Sequence, residues 1–500
     1  MAKTNQTIVL FPCMAQGHII PFLALALQLE QRNPNHNIII VNTPLNIQKL
    51  KSSLPPNSKI TLHELPFDST HHALPPNIEN TDSIPYHLVI KLFQATSSLK
   101  PAFTNLIQTL IANNKQQVVV IADVFFGWTA TVAKDLGVFH VIFAGCGGYG
   151  LACYYSLWVN LPHRRVNSDQ FTLPDFPEAR VIHRTQLPAN IAEADGTDPW
   201  SLFQSDNFSQ WINSDGILLN TVEEFDSFGS KYFARNLNLN VWTIGPVLLS
   251  TGAGSRGKGG GIDPELCLRW LDEKPSNSVL FVCFGSMNTI ASSQMMELAI
   301  ALRDSEKNFI WVVRPPIGFD INSEFRTEEW FPEGFVERIR EGDRGLIVYD
   351  WAPQVEVLKH GSVCAFLSHC GWNSVVESLS SGVPILGWPM AAEQFYNCKY
   401  LEEEVGVCVE VARGKRCEVK HEDIVGKIEL VMNETEKGIE MRKKVGVVRD
   451  MIRDAVRDED GFKGSSVKAL DEFLATAAAS PKNKKNQRVN ESVTILSYDD

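Results

Sequence analysis

Short apolar runs rich in valine and isoleucine recur along the whole sequence, and segments long enough to form a helix separate them. In the first half the runs are TIVLF (Thr7–Phe11), NIIIV (Asn37–Val41), VVVIAD (Val118–Asp123), HVIFA (His140–Ala144), GILLNT (Gly216–Thr221) and VWTIG (Val241–Gly245). In the second half they are SVLFVCFGS (Ser278–Ser286), NFIWVV (Asn308–Val313), GLIVYDW (Gly345–Trp351), CAFLSH (Cys364–His369) and VPILGWP (Val383–Pro389). β-Branched runs that alternate with helical segments are typical of parallel sheets with crossover helices. The pattern predicts an α/β protein with two Rossmann-like, doubly wound domains.

Chain length and one glycine-rich stretch divide the sequence. A chain of 500 residues exceeds the roughly 250–300 residues at which a single core stops growing. The segment TGAGSRGKGGG (Thr251–Gly261) contains too much glycine for a packed element and favours a linker. We therefore predict an N-terminal domain at 1–250, a linker at 251–262, a C-terminal domain at 263–480 whose final helix can return to the first domain, and a disordered tail at 481–500. Ligands of such domains bind at the carboxyl ends of the strands, which here face a cleft.

Charge, hydropathy and cysteine usage exclude several classes of protein. A net charge of −12 opposes binding to a phosphate backbone, so no nucleic acid partner is expected. No apolar stretch approaches the ~20 residues of a membrane span, and Ile19–Leu29 lacks the cationic leader and cleavage site of a signal peptide. Ten cysteines without CxxC spacing favour reduced thiols, and the spacing of Cys364, His369 and Cys370 is not that of a zinc site. These features predict a cytoplasmic protein without a bound metal.

Two glycine motifs suggest other ligands but fit them poorly. GCGGYG (Gly145–Gly150) follows a predicted strand and matches the dinucleotide pattern GxGxxG, with Asp169 about twenty residues further on. That strand is not the first of its sheet and Asp169 does not end a strand, so a glycine turn against a ligand or another helix is favoured. GAGSRGK (Gly252–Lys258) has P-loop spacing, but Gly259 stands where a Ser or Thr would hold magnesium.

The stretch from Trp351 to Gln394 concentrates groups that suit a nucleotide. Trp351 ends a predicted strand and offers a flat face for stacking on a base. HCGWNS then leads from a strand into a helix that begins near Asn373, and the free amides of a helix start suit a diphosphate. Gly371 permits close approach of the backbone to a ligand.

Polar side chains of suitable types surround this helix start: His369, Asn373 and Ser374. Glu377 lies one turn into the helix on the same face and can accept hydrogen bonds from two ribose hydroxyls. Glu393 and Gln394, with Trp388 nearby, stand at a later strand-to-helix turn, where acceptors beside donors suit a sugar. Taken singly, each residue has a structural alternative: a packed aromatic for Trp351, a solvated charge for Glu377 and a strand-end histidine for His369.

The whole stretch resembles the donor-binding signature of plant secondary-product UDP-glycosyltransferases in length and in both end points. The resemblance extends over almost the whole chain, and it implies a glycosyltransferase-B fold that binds UDP-glucose on the C-terminal domain without a cofactor or metal. It also implies that Trp351 and Gln354 bind uracil, that Glu377 binds ribose, and that Trp372, Glu393 and Gln394 address the sugar. The remaining members of the predicted UDP-sugar site are Ser286, Ala352, His369, Gly371, Asn373 and Ser374, with the diphosphate assigned to Ser286, His369, Asn373 and Ser374.

The closing glutamine bears on the sugar. In the family that the chain resembles, glutamine at this position usually accompanies glucose and histidine accompanies galactose. A side-chain amide offers a donor and an acceptor together, so Gln394 can bridge two neighbouring sugar hydroxyls.

The N-terminal half supplies a second candidate group. MAQGHIIP (Met14–Pro21) follows the first strand and places His18 in a loop that leads into a helix. The resemblance implies that His18 is the general base and that Asp123, at the end of another strand, orients it. An unperturbed histidine pKa of about 6.5 suits that role. Without the resemblance, His18 is a helix-start residue and Asp123 a strand-end cap.

These assignments predict an inverting transfer of glucose to a hydroxyl of a small hydrophobic acceptor, with a phenolic or flavonoid favoured and no protein partner implied. A terpenoid acceptor or another donor sugar is the alternative, and a NAD-dependent oxidoreductase using GCGGYG is a distant one. A non-enzymatic sensor is disfavoured because His18 and Asp123 are both present. Candidates for the acceptor pocket, each equally suited to core packing, are Phe125, Phe126, Trp128, Tyr149, Tyr154, Tyr155 and Trp158.

Overall fold

The computed structural model describes residues 5–113, 116–247, 262–415 and 417–480. Within these ranges each half of the chain forms one parallel sheet, with seven strands in the first half and six in the second. The predicted linker Thr251–Gly261 and the predicted tail 481–500 lie outside the described residues, so the domain bounds stay a prediction.

The strands of the N-terminal half, in chain order, are β1 (Gln6–Phe11), β2 (Asn37–Asn42), β3 (Thr61–Glu64), β4 (Gln117–Asp123), β5 (Phe139–Ala144), β6 (Gln170–Thr172), β7 (Val181–His183), β8 (Gly216–Leu219) and β9 (Asn240–Thr243). Its helices are α1 (Gln16–Arg32), α2 (Pro44–Ser53), α3 (Tyr86–Ala95), α4 (Lys100–Asn113), α5 (Trp128–Asp135), α6 (Gly148–Asn160), α7 (Ala189–Glu193), α8 (Pro199–Ser209) and α9 (Ser227–Leu237). The sheet order is β3-β2-β1-β4-β5-β8-β9, and β6 and β7 form a separate hairpin.

The strands of the C-terminal half are β10 (Val279–Cys283), β11 (Asn308–Val313), β12 (Gly345–Tyr349), β13 (Val363–Ser368), β14 (Ile385–Gly387), β15 (Cys408–Glu410), β16 (Asp458–Glu459) and β17 (Phe462–Lys463). Its helices are α10 (Pro264–Asp272), α11 (Ser292–Asp304), α12 (Thr327–Trp330), α13 (Phe335–Glu341), α14 (Gln354–Lys359), α15 (Trp372–Ser381), α16 (Gln394–Tyr400), α17 (His421–Met432), α18 (Glu436–Val456) and α19 (Ser465–Ala479). The sheet order is β12-β11-β10-β13-β14-β15, and β16 and β17 form a small antiparallel pair.

Successive residues of the central strands enter different hydrophobic cores. Ile8 of β1 packs into one core and Val9 into the core on the other face of the sheet. Leu280 and Phe281 of β10 divide in the same way. Because side chains of a strand alternate between its two faces, both faces of each sheet are covered by helices. The prediction of two doubly wound domains is therefore confirmed.

Each predicted apolar run contains a strand, but β3 and β15 of the two parallel sheets and the short antiparallel pairs β6–β7 and β16–β17 were not predicted. β3 has the sequence TLHE and its residues are exposed or half-buried, so it lacks the apolar run that marks a buried strand. β15 has three residues and ends in Glu410. β3 adds to its sheet beside the longer apolar strand β2, and β15 adds beside β14, which also has three residues.

The strand order locates a crevice in each sheet. In the first sheet β2 and β3 lie on one side of β1, whereas β4 and the later strands lie on its other side, so the strand order reverses between β1 and β4. In the second sheet the strand order reverses between β10 and β13. Ligands of doubly wound sheets bind beyond the carboxyl ends of the strands at this point. His18 follows β1 and Asp123 ends β4, while Gly285 follows β10 and His369 follows β13.

The last described helix returns to the N-terminal sheet. The ring of Phe473 in α19 lies 5.5 Å from the ring of Trp242 in β9, centre to centre. Asp471 of the same helix accepts a hydrogen bond of 2.8 Å from Nε of Arg32 in α1. Helix α19 thus covers one end of a sheet that begins more than 400 residues earlier. None of the helices in the described ranges is long and apolar enough to pass through a bilayer.

Candidate active site

A histidine–aspartate pair stands at the crevice of the N-terminal sheet. Nδ1 of His18 lies 2.9 Å from Oδ2 of Asp123, and Oδ1 of the same carboxylate accepts the N–H of Phe125 at 3.2 Å. A carboxylate can only accept, so Nδ1 carries the hydrogen and Nε2 remains unprotonated in the neutral ring. The His18 side chain is 29% exposed and Asp123 is 1% exposed. The pair can therefore present one basic nitrogen to the cleft.

Opposing effects set the pKa of His18. Burial lowers it, while the charge of Asp123, the hydrogen bond to that carboxylate and the charge of Glu393 raise it, and the net pKa is above the ordinary value. Glu393 belongs to the C-terminal half, and burial raises its own pKa against the lowering effect of His18. The two halves of the site thus interact electrostatically across the cleft.

Trp351 stands just beyond β12, where an ion pair fixes the turn. Asp350 has a φ of 69°, in the left-handed region that few residues other than glycine adopt. Nη1 of Arg314 lies 2.9 Å from Oδ1 of Asp350, and Nη2 donates to its carbonyl oxygen at 2.6 Å. The half-buried Trp351 follows this turn, and its neighbour Ala352 is buried.

Three predicted residues form one hydrogen-bonded group at the start of α14 and α15. Nε2 of Gln354 donates to Oγ of Ser374 at 2.9 Å and to Oε2 of Glu377 at 2.8 Å. Because the Ser374 oxygen accepts this bond, its hydroxyl hydrogen stays available for an anionic ligand. Gln354 thereby holds the carboxylate that the resemblance assigns to ribose.

The imidazole of His369 lies between two glycines. A Cβ at Gly285 would lie 2.8 Å from Cε1 of His369, and a Cβ at Gly371 would lie 2.4 Å from Nε2, so neither position tolerates a side chain. Burial and the charge of Lys415 lower the pKa of His369 to about 4. The ring is therefore neutral at physiological pH, and it can donate one hydrogen bond but adds no positive charge. Ser286, next to Gly285, is exposed.

Lys415 is a candidate that the sequence patterns did not reveal. It follows Gly414, whose N–H donates to the Pro389 carbonyl at 2.8 Å and whose own carbonyl accepts the Trp388 indole N–H at 3.3 Å. Burial lowers the pKa of Lys415, and no carboxylate among the described residues forms an ion pair with it. A half-buried cation close enough to lower the pKa of His369 lies well placed to attract a diphosphate. It stands in a loop 21 positions after Gln394 (415 − 394), beyond the signature stretch, so no motif marks it.

Two predicted donor residues contact the N-terminal half instead of an open cleft. The indole N–H of Trp372 donates to the Asn220 carbonyl at 2.7 Å, and its ring stacks near Phe225. Nδ2 of Asn373 donates to the Gly17 carbonyl at 3.2 Å, next to His18. The single indole N–H of Trp372 is used in this contact, whereas the Asn373 amide keeps a second N–H that can reach a ligand. The sequence could not show this, because both partners belong to the other domain.

Gln394 and Glu393 begin α16, and the orientation of the glutamine amide is determined. Oε1 of Gln394 accepts the N–H groups of Met390 and Ala391, each at 3.0 Å. Backbone N–H groups only donate, so the oxygen faces the turn and Nε2 is the part that can reach a ligand. The interpretation that this amide bridges two sugar hydroxyls as donor and acceptor is therefore not supported. Glu393, whose carboxylate oxygens can accept hydrogen bonds, stands beside the Gln394 amide.

The aromatic candidates for the acceptor pocket divide into two groups. The Phe125 ring lies 5.5 Å from the His18 ring and stacks at 4.8 Å on Phe93, which contacts Trp200 and Phe203. These four aromatic residues form a group beside His18, and only Phe125 was proposed from the sequence. The other candidates, namely Phe126, Trp128, Tyr149, Tyr154, Tyr155 and Trp158, are buried in hydrophobic cores.

The GCGGYG motif serves close packing between helices. A Cβ at Gly147 would lie 2.7 Å from the Trp372 ring, and one at Gly150 would lie 2.1 Å from Oδ1 of Asn397 in α16. A Cβ at Gly148 would lie 3.1 Å from the Cα atom of Gly229 in α9. The glycines face protein atoms, as the packing interpretation predicted, and this does not support a dinucleotide site.

Comparison with known proteins gives matches over both halves. Residues 263–443 match the family model described as "UDP-glucoronosyl and UDP-glucosyl transferase", and residues 5–248 match the model described as "Glycosyltransferase, N-terminal domain". UDP-glycosyltransferase 92A1 of Arabidopsis thaliana is 53% identical over 481 residues, covering 95% of this chain and 97% of that protein. Crocetin glucosyltransferase 3 of Crocus sativus is 42% identical and covers 88% of this chain and 92% of its own length.

Solved structures resemble the whole molecule. UGT73P12 of Glycyrrhiza uralensis, complexed with glycyrrhetinic acid 3-O-monoglucuronide, gives a TM-score of 0.82 at 28% identity and covers 99% of this chain and 100% of that one. UGT71G1 of Medicago truncatula, complexed with UDP-glucose, gives a TM-score of 0.77 at 26% identity. The match covers 95% of this chain and 98% of that one. Both likenesses extend over the two sheets and the cleft between them.

Proposed function

Because this chain belongs to the plant family 1 UDP-glycosyltransferases and has their glycosyltransferase-B fold, we propose that it transfers glucose from UDP-glucose to a small hydrophobic acceptor with inversion. The observation that carries the proposal is the His18–Asp123 pair, which lies close enough to Glu393 of the other half for their charges to interact. A basic nitrogen opposite a sugar site is what a single displacement at the anomeric carbon requires.

The proposed reaction is one in-line step. Nε2 of His18 takes the proton of the acceptor hydroxyl, and the Asp123 carboxylate stabilises the imidazolium that forms. The acceptor oxygen bonds to the anomeric carbon while the bond from that carbon to the UDP oxygen breaks, so an α-linked donor gives a β-glycoside. The first turn of α15 and the Ser374 hydroxyl stabilise the negative charge on the departing UDP.

The aromatic group beside His18 supports a proposal for the acceptor class. Phe93, Phe125, Trp200 and Phe203 favour a flat phenolic or flavonoid, since aromatic rings prefer offset or edge-on contacts with other rings. A relative that is 32% identical to this chain, the anthocyanin 3'-O-beta-glucosyltransferase of Gentiana triflora, supports this class. Terpenoid acceptors are the alternative outcome.

An acceptor panel tests the proposal. Purified protein with UDP-glucose is incubated with matched phenolics, flavonoids and terpenoid alcohols, and products are detected by a gain of one hexose in mass. The anomeric coupling constant of the product reports inversion, and a parallel reaction in chelator tests the expectation that no metal is required. An α-linked product, or turnover of nicotinamide cofactors without hexose transfer, would contradict the proposal.

The pH dependence should follow the protonation state of His18. The base acts only when neutral, and its pKa is raised, so kcat/KM should increase with pH through a pKa above the ordinary 6.5 and then level. An aliphatic alcohol acceptor keeps its own ionisation out of the measured range. Asp123→Asn removes the charge that raises this pKa. In this variant the rise of kcat/KM should occur at lower pH and level off at a lower value. An unchanged rise in that variant would show that another group controls the profile.

Donor choice should depend on the amide of Gln394. A buried polar group left poorly paired costs about 1–3 kcal/mol, so the wild type should prefer UDP-glucose to UDP-galactose by about 5–150-fold. Gln394→His should damage glucose transfer more than it creates galactose transfer, because one ring nitrogen cannot accept both N–H groups of the Met390–Ala391 turn. Gln394→Glu keeps an oxygen that accepts from the turn but replaces the donor NH2 with an anionic oxygen beside Glu393, so it alters the sugar contact while the turn keeps its acceptor.

Competition between equal amounts of the two donors measures this preference, and thermal unfolding of each variant reports the state of the turn. Equal use of both donors by the wild type would refute the role of Gln394. Unaltered glucose transfer by Gln394→Glu would do the same.

Lys415→Met should weaken UDP binding about 10–150-fold, since a hydrogen bond to a charged group contributes about 1.5–3 kcal/mol. The affinity for uridine, which lacks the diphosphate, should not change. Lys420→Met, an exposed lysine of the same loop, serves as the control. Calorimetric titration with both ligands compares the variants, and equal losses for UDP and uridine would argue against a diphosphate contact.

A further inference from the structure

Three buried cysteines meet behind the donor-binding turn. Cys370 follows His369 in the turn after β13, Cys398 lies in α16 and Cys408 begins β15. The sulfur atoms of Cys398 and Cys408 are 3.8 Å apart, and all three sulfurs lie within 4.8 Å of one another. The positions are 28 and 10 residues apart (398 − 370 and 408 − 398), so the spacing gave no sign of the group.

A glycine leaves the space into which the sulfurs point. A Cβ at Gly387 of β14 would lie 2.4 Å from the Cys398 sulfur, 3.0 Å from that of Cys408 and 3.2 Å from that of Cys370. The three thiols therefore converge over a backbone without a side chain. Three small apolar side chains would fill this space equally well. Packing alone therefore does not explain why all three residues are cysteines.

The 3.8 Å between the sulfurs of Cys398 and Cys408 suits a metal ion, and the sulfur of Cys370 lies within 4.8 Å of both. Metal–sulfur bonds of about 2.3 Å place the sulfurs of a tetrahedral or trigonal site about 3.8–4.0 Å apart. A site made of thiolates alone, with no carboxylate ligand, favours soft d10 ions. We propose that Cys370, Cys398 and Cys408 form a three-sulfur site for a thiophilic d10 cation directly behind the donor-binding turn.

Binding exchanges protons for the ion. A cysteine binds a metal as the thiolate, so a divalent ion that binds all three sulfurs releases the protons of the three thiols to solvent. The bound ion then links the turn after β13 to α16 and β15. Asn397, next to Cys398, already donates to the Cys370 carbonyl at 3.0 Å, so the ion strengthens an existing connection. The site does not depend on the proposed acceptor or donor.

Cadmium titration of the full-length protein in a phosphine reductant tests the site. One equivalent should give the ultraviolet sulfur-to-cadmium charge-transfer band, X-ray absorption should count three sulfur ligands, and the melting temperature should rise with cadmium concentration. Cys408→Ala should lose most of the band and keep at most two sulfur ligands. Cys267→Ala, a buried cysteine of α10 outside the group, should behave as the wild type.

A second measurement needs no variant. Bound cadmium should protect Cys370, Cys398 and Cys408 from slow alkylation in mild denaturant, whereas Cys267 should react as in the metal-free protein. Fewer than three sulfur ligands in the wild type, an unaltered band in Cys408→Ala, or protection of other cysteines instead would each overturn the proposal.

Discussion

Replacing His18 with alanine is expected to lower turnover about 10²–10⁴-fold, which is the usual contribution of a positioned general base. UDP affinity should not change, because His18 belongs to the N-terminal half and the nucleotide residues to the other. Steady-state kinetics and calorimetric titration with UDP measure the two quantities. Wild-type turnover in His18→Ala would exclude the proposed mechanism.

The alanine variant also leaves the buried Asp123 carboxylate without its partner, so a loss of stability could be mistaken for a loss of catalysis. His18→Gln separates the two effects, since its amide can donate to Asp123 but has no basic nitrogen. It should melt near the wild-type temperature and remain as slow as His18→Ala. His87→Ala, an exposed histidine of α3, controls for nonspecific effects and should be fully active.

Trp351→Ala should weaken UDP binding by about 1–3 kcal/mol, or about 5–150-fold, through loss of stacking on the base. Trp351→Phe keeps an aromatic face and should recover part of the affinity. Both variants leave the Arg314–Asp350 ion pair intact, so the turn itself should persist.

Trp270→Ala is the matched control for the tryptophan. Trp270 is also half-buried, but its indole N–H bonds Asp343 at the opposite end of β12. Calorimetry should give wild-type UDP affinity for Trp270→Ala. Equal affinity for Trp351→Ala and the wild type would mean that Trp351 is only a packed aromatic residue.

Sequence reasoning predicted those parts of the site that depend on strand ends. The carboxyl ends of parallel strands share one edge, so a histidine after β1 and an aspartate at the end of β4 could be expected to lie together. They are hydrogen-bonded at 2.9 Å. Gln354, Ser374 and Glu377 belong to adjacent helix starts and also meet. The roles of all these residues stay predictions until variants are measured.

Contacts between the two halves could not be predicted, because they leave no periodic pattern in either segment. The carbonyl of Asn220 accepts the Trp372 indole, and the carbonyl of Gly17 accepts the Asn373 amide. Backbone acceptors of this kind carry no sequence signature. Lys415 and the aromatic residues Phe93, Trp200 and Phe203 were missed for a related reason, since loop and helix residues converge only in the folded chain.

The return of α19 to the first sheet has a consequence for synthesis on the ribosome. Domains ordinarily fold as they emerge, beginning at the N-terminus. Here Trp242 and Phe139 receive their cover from Phe473, so this apolar end of the first sheet stays open to chaperones until Phe473 has been made. A chain halted before Ser465 should therefore be retained by chaperones even though every strand of its first sheet has been made.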